Sequence, residues 1–300
     1  MTRLDQEPRP AVATGTATGQ TRTGLAPLDL STARAAVEPV VARGVDRAWS
    51  LTDLDWSAVR PELLTDADRS VVRFITYIED HIPGYLSWLL RSFPVDGAHA
   101  PVPQVAVHRE YFRFFVAWAN DEERHASALT RYQEAANINT PEALRLELAE
   151  EGRKHFDQPY TEALETFTYT LLQEKATQLF YQRFRAVVAE PVLRDLLTRL
   201  ARDEARHFGL YANLVEAYLR RDPRAAAPYL KEVLRTFRMP LADTLPRYRR
   251  WSLEVADAAG YDHTEAYTAL GRLVDRYANA PGEADLNELL TLISTLRTMP

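Results

Sequence analysis

From Leu28 onward the apolar residues recur at steps of three and four, the spacing of one helix face, and no strand-like alternation persists across several segments. Four long helices are predicted, over Asp66 to Leu90, Pro103 to Ala136, Pro159 to Ala189 and Pro191 to Arg221. Prolines near their starts and the breaks DGAHAP, NINTP and DQPY set most of the boundaries. Little more than Glu190-Pro191 separates the last two, which predicts antiparallel neighbours. A shorter helix from Pro141 to about His155 bridges the second and third. After Asp222 the helical pieces are shorter, punctuated at Pro223, Pro240, Gly260 and Pro281-Gly282. Residues 1–27 are rich in Thr, Ala, Gly and Pro without periodicity, and predict a disordered arm. The expected organisation is one all-α domain over residues 28–300. Its core is a four-helix bundle at about 66–221, followed by further helices over 222–300.

Composition narrows the class. The chain has 300 residues, 46% hydrophobic and 26% charged, ordinary for a globular protein. No apolar run approaches the roughly 20 residues that span a bilayer. The start MTRLDQEPRP lacks the apolar stretch of an export signal, so a cytoplasmic location is expected. Cysteine is absent, which excludes disulfides, thiolate zinc sites and a cysteine nucleophile. A net charge of −6 argues against general nucleic-acid binding.

Candidate chemistry lies where acids and imidazoles interrupt apolar stripes. In the fourth segment Glu204 and His207 fall on the stripe made by Leu193, Leu196, Leu200, Tyr211 and Leu214. A carboxylate and an imidazole three apart project side by side from one helix face. An unpaired buried carboxylate costs several kcal/mol, and a bound cation compensates it directly. The second segment repeats the pattern, with Glu122 and His125 interrupting Tyr111, Phe115, Trp118, Leu129 and Tyr132. The adjacent Asp121, Glu123 and Arg124 are expected to lie behind the ligands or face solvent. Glu79, between Ile75 and Ile82, and Glu174, between Leu171 and Tyr181, are lone acids on apolar stripes.

Each feature alone has a plain explanation. A single ExxH arises by chance in a Glu-rich helical protein, and a lone Glu can snorkel or meet an arginine from elsewhere. Two ExxH pairs and two single Glu on four different long helices form the ligand set of a di-metal carboxylate bundle. Four carboxylates and two imidazoles suit iron first and manganese second, whereas copper or structural zinc would call for more imidazole or sulfur. Glu122 and Glu204 are expected to bridge, with Glu79 and Glu174 terminal. Pro83, four residues after Glu79, frees the Glu79 carbonyl from its helical bond and predicts a kink beside a ligand.

These residues resemble the soluble acyl-carrier-protein desaturases. YIEDHIP is similar to that family's first-ligand segment, and WANDEERHASALTRY to its second. YTLLQEKATQLF resembles the third, and LARDEARHFGLYANLVEAYLRRDP the fourth, with the whole likeness running from about Trp49 to Tyr261. It resembles the actinobacterial branch more than the plant one. The resemblance implies a ferritin-like bundle with two irons, assembled as a homodimer. It implies O2-dependent insertion of a cis double bond into a fatty acyl chain carried on acyl carrier protein, with electrons from ferredoxin. It also implies that Thr177 faces the oxygen-binding side, that Trp49, Asp203 and His125 carry electrons inward, and that Phe167 lines the acyl tunnel. Thr166, the N-terminal arm and the last 40 residues depart from the family's pattern, so chain length and double-bond position do not follow from it.

An acidic carrier protein calls for a basic patch, and residues 231–250 supply a candidate. Lys231, Arg235, Arg238, Arg247, Arg249 and Arg250 stand there against Glu232 and Asp243. Two other functions fit the same ligands: a di-iron oxygenase that hydroxylates a carrier-bound or small-molecule intermediate, and a non-enzymatic ferritin-like iron-binding protein. A radical-generating reductase subunit fits less well, because all four carboxylates are Glu rather than including an Asp.

Overall fold

The computed structural model describes residues 25–96, 100–262, 264–277 and 283–298. Helix α1 spans Leu30–Asp46, and three single turns of tighter helix lead to α2, Asp66–Asp80. Then come α3 (Ile82–Ser92), α4 (Val102–Ala135), α5 (Pro141–Gly152), α6 (Ala163–Val187) and α7 (Pro191–Arg221). The C-terminal part holds α8 (Pro223–Thr236), α9 (Tyr248–Ala259), α10 (Thr264–Asp275) and α11 (Glu283–Leu296). No helix among the described residues is long and apolar enough to cross a membrane.

Helices α2, α4, α6 and α7 form the bundle. Only Val188 to Glu190 separate α6 from α7, and the two pack antiparallel along their length, as the short link requires. Helix α1 covers α4 and α7, α9 packs on α2 and α6, and α8 and α10 flank α6. Local chemistry sets the starts. Thr65 caps α2 by accepting the Asp68 N–H at 3.1 Å while the Asp68 carboxylate accepts the Thr65 N–H at 2.8 Å. Glu190 caps α7 by accepting the Leu193 N–H at 2.7 Å, with Pro191 in the first turn. Gly260, with φ +62°, ends α9 in the left-handed conformation that glycine adopts without strain.

The bundle interior divides into two apolar clusters. One gathers Tyr111, Phe115, Phe167, Leu171, Tyr211 and Leu214; the other gathers Ile75, Leu129, Tyr132, Tyr181, Phe184 and Leu197. Along α4, α6 and α7 the changeover falls within the helix, and along α2 it falls at the C-terminal end; the acids and imidazoles occupy that layer.

Three boundaries differ from expectation. The first long helix is two, broken at His81, because Pro83 has no N–H to offer the Glu79 carbonyl. The new helix is initiated by the His81 carbonyl, which accepts from Gly84 and Tyr85, and the Tyr85 hydroxyl donates across the break to the Ile78 carbonyl at 3.0 Å. Gly84 leaves room for the buried His81 ring, since a Cβ would sit 2.5 Å from its Nε2 and the ring would have to shift. Helix α6 starts at Ala163 rather than Pro159, where Glu162 and Glu165 form a reciprocal cap. The expected arm ends earlier than residue 27: Leu25 packs on the core, and Arg221 donates to the carbonyls of Ala26 and Pro27. Residues 1–24 of that arm, part of the DGAHAP break and the Pro281-Gly282 break lie outside the described residues.

Candidate metal centre

Each bundle helix delivers its acid to the middle layer. Glu79 from α2, Glu122 and His125 from α4, Glu174 from α6, and Glu204 and His207 from α7 are all at most 7% exposed. One ligand atom from each of Glu79, Glu122, His125 and Glu204 lies within 4.8 Å of the others. The same holds for Glu122, Glu174, Glu204 and His207. Nδ1 of His125 is 3.4 Å from Glu79 and 3.3 Å from Glu204, and Nδ1 of His207 is 3.0 Å from Glu122 and 3.4 Å from Glu174. Glu122 and Glu204 belong to both groups, so they stand between two positions, each completed by one terminal Glu and one His.

The residues fit a pair of cations. Glu79 Oε2, Glu122 Oε1, His125 Nδ1, Glu174 Oε2, Glu204 Oε1 and His207 Nδ1 are all buried and without a hydrogen-bond partner. Buried polar atoms are ordinarily satisfied, and six orphans converging on one layer are what a bound metal pair would satisfy. Without metal the cluster is electrostatically frustrated. Burial and the charge of Glu122 push Glu79 up to about 8, and burial with Glu204 raises Glu174 as well. Burial also opposes ionisation of Glu122 and Glu204, but the His125 and His207 imidazoles outweigh it and hold both low. Both histidines rise well above their usual value despite burial, through Asp203 and Glu122 at His125, and through Asp121 and Glu122 at His207.

Behind the cluster runs a crossed brace that the helix pattern alone did not reveal. Asp203 of α7 meets His125 of α4, and Asp121 of α4 meets His207 of α7, each at 3.3 Å from Nε2. Arg206 bonds both aspartates, and Arg124 bonds Asp121 while lying 3.7 Å from Asp203. This arrangement directs each Nδ1 toward the carboxylates. Asp121 and Arg124 therefore stand behind the ligands, while Glu123 is exposed. The terminal acids have their own donors, which sequence reasoning missed: the Tyr181 hydroxyl donates to Glu79 Oε1, and Trp118 Nε1 to Glu174 Oε1 at 3.2 Å. Both had read as stripe residues. Trp49 joins the brace by donating to Asp203 at 2.7 Å, its ring nearly parallel to that of His125 with centroids 6.4 Å apart.

A cavity of about 610 Å³ adjoins this layer, predominantly apolar and bounded by α2, α6, α9, α10 and the segment 237–243. Thr177 lines it, with its hydroxyl donating to the Gln173 carbonyl at 3.0 Å. Phe167 does not. It is fully buried in an aromatic cluster near the start of α6, stacked on Phe93 at 5.2 Å, whereas the α6 residues that line the cavity run from Leu172 to Tyr181. The basic segment is also smaller than expected. Lys231 is only 12% exposed at its side chain and bonded to Glu288 at 2.6 Å, so it is withdrawn from any patch. Arg238 pairs with Asp243 and Arg250 with Glu254, and both partners are exposed. Arg235 is exposed, and Arg238 and Arg249 stand in the cavity wall.

Comparison with known proteins places this geometry. A protein named as an acyl-[acyl-carrier-protein] desaturase, DesA1 of Mycobacterium tuberculosis, is 26% identical over 222 residues, covering 71% of this chain and 62% of that protein. DesA2 of the same species, similarly named, is 28% identical over 167 residues, covering 54% of each. The chain thus spans between about half and three fifths of these curated relatives' lengths. The X-ray structure of DesA2 from strain H37Rv superposes with a TM-score of 0.58 at 20% identity, covering 87% of this chain and 98% of that one, which shows a shared fold. The family model described as fatty acid desaturase matches residues 61–279, and so runs through all four ligand-bearing helices. With the fold and this match in agreement, the chain belongs to the fatty acid desaturase family.

Proposed function

We propose that the protein is an O2-dependent di-iron desaturase that introduces a cis double bond into a fatty acyl chain held on acyl carrier protein, with electrons from ferredoxin. The observation that carries this reading is the juxtaposition of six orphaned ligand atoms with an apolar cavity walled in part by two of the same helices, α2 and α6. Glu79, Glu122, His125, Glu174, Glu204 and His207 would hold two irons. When bound, such a pair supplies the oxidising power to remove two hydrogens from adjacent methylenes at the expense of dioxygen and two electrons.

The chain's own residues do the rest. Ile75, Ile78, Leu172 and Phe180 give the acyl chain an apolar wall, exclude water and hold one stretch of it beside the ligands. Thr177 offers a hydroxyl where that wall meets the metal layer. Trp49 and Asp203 form a hydrogen-bonded path to His125 for electrons. Arg235, Arg238, Arg249 and Arg250 offer an acidic carrier a basic rim. A homodimer in the cytoplasm completes this reading.

The test is incubation of the iron-loaded protein with carrier proteins bearing saturated chains of graded length, reduced ferredoxin and O2, followed by mass spectrometry. Loss of two hydrogens from the acyl chain is the expected result. Gain of oxygen would assign hydroxylation instead, and iron uptake without acyl oxidation would assign iron binding alone.

A further inference from the structure

We propose that Tyr181 carries the state of the apolar cavity to the metal centre, and that it does so at one of the two metal positions only. This rests on the di-metal reading of the six-residue cluster. Tyr181 is 1% exposed and faces two surroundings at once. Its side chain is part of the cavity wall, and its hydroxyl donates to Oε1 of Glu79. Oε2 of Glu79 is left as the oxygen without a protein partner. The phenol therefore decides which oxygen is free to ligate and where the carboxylate points.

Glu79 is also the terminal acid best placed to respond. It is the last residue but one of α2, and the helix breaks at His81 because Pro83 cannot donate to the Glu79 carbonyl. Glu122, Glu174 and Glu204 all lie well inside their helices, within Val102–Ala135, Ala163–Val187 and Pro191–Arg221. The other terminal acid has a donor of a different kind. Trp118 Nε1 holds Glu174 Oε1 at 3.2 Å, and Trp118 is embedded in the apolar cluster rather than in the cavity wall. An apolar chain entering the cavity presses on the ring of Tyr181 and not on Trp118. The position served by Glu79 and His125 senses occupancy, and the position served by Glu174 and His207 does not. Tyr181 is thus a positioning residue, acting through Glu79.

The experiment uses the full chain loaded with two ferrous ions in the absence of oxygen, and reads the near-infrared circular dichroism bands of each ion. The probes are octadecanoate and octadecanoyl-loaded acyl carrier protein, with binding followed separately by calorimetry. In the wild type, bound probe should shift the bands of one ion and leave those of the other in place. Tyr181→Phe should bind the probe but lose the probe-induced shift, whereas Trp118→Phe should move the second ion's bands and keep the response. Tyr181→His, which retains an N–H donor, should keep the shift and serves if the phenylalanine variant loses metal; its failure to do so counts against the proposal. A wild-type response in Tyr181→Phe, a response at both ions, or no response or no probe binding in the wild type would overturn it. A band shift in a protein that forms no double bond when oxygen and electrons are supplied would remove the desaturase reading and leave this one standing.

Discussion

The carboxylate of Asp203 on α7 sits 3.3 Å from Nε2 of His125 on α4, so it supports the imidazole of the opposite helix rather than that of its own. Asp121 and His207 repeat the relationship in reverse. The two ExxH helices therefore position each other's ligands, and register between α4 and α7 sets the orientation of both rings. Asp203→Asn removes the negative charge behind His125 while keeping the side chain's size. It should weaken metal binding by about 10–100-fold, the usual cost of losing such a partner. Competition with a chelator measures this, and the helical signal should stay at the wild-type level.

Glu204 takes part in both four-residue groups, and Glu174 in one. Glu204→Ala should accordingly lose both metal ions, while Glu174→Ala should lose one more readily than the other. Metal content per chain after desalting distinguishes the two outcomes. Full iron content and activity in Glu204→Ala would show that the cluster is not the metal site.

Metal removal should change the pH dependence of stability, with a definite sign. Glu79 is raised from 4.5 to about 8 by burial and by Glu122. The folded metal-free protein then keeps a proton that the unfolded chain sheds, so this contribution is present below the unfolded value and lost as pH rises toward about 8. Glu174, His125 and His207 are raised as well and act in the same direction. Glu122 and Glu204 are lowered, and their contribution fades only as pH falls below about 4.5. Metal binding requires the same ligands deprotonated and so strengthens with pH. The gap in Tm between metal-loaded and metal-free protein should widen from about pH 5 to about pH 8, as thermal melts with and without chelator will measure.

The bundle was legible because its evidence is local. Stripes of period 3.6, prolines in first turns and two ExxH pairs all lie within single helices, and the six acids and imidazoles do converge on one layer. What was not legible depends on distance in sequence. Asp121 meets His207 across 86 residues, and Tyr181 meets Glu79 across 102, so only the packed bundle reveals them. Lys231 read as part of a basic patch because Glu288, which neutralises it, comes 57 residues later on α11. Phe167 is assigned to a tunnel by resemblance, but it lies near the start of α6, outside the lining of this cavity, and its ring belongs to the aromatic packing around Phe93 and Tyr111.

The pairing of Lys231 separates two kinds of basic residue in the 231–250 segment. Lys231→Glu puts a charge beside Glu288 and should cost stability without changing carrier binding. Arg249, exposed at the cavity wall, should behave oppositely: Arg249→Glu should raise KM for acyl carrier protein with little change in Tm. Surface charge effects are screened beyond about 10 Å at 0.1 M salt, so the difference should shrink as ionic strength rises. Steady-state kinetics at low and high salt check both halves.

The cavity can be shortened without touching a ligand helix. Ala256 lies on α9, which carries none of the six metal-binding candidates, and its side chain faces the space shared with Thr177 and Tyr181. Ala256→Phe would fill part of that space from the α9 wall. Overpacking of this kind costs about 1–3 kcal/mol when the site is tightly packed, and less here because the added ring enters a void. Metal content should therefore be unchanged. If the acyl chain lies in this cavity, the variant should turn over short chains as the wild type does and lose turnover of the longest ones. A length profile identical to the wild type, in a protein of unaltered Tm, would place the chain elsewhere.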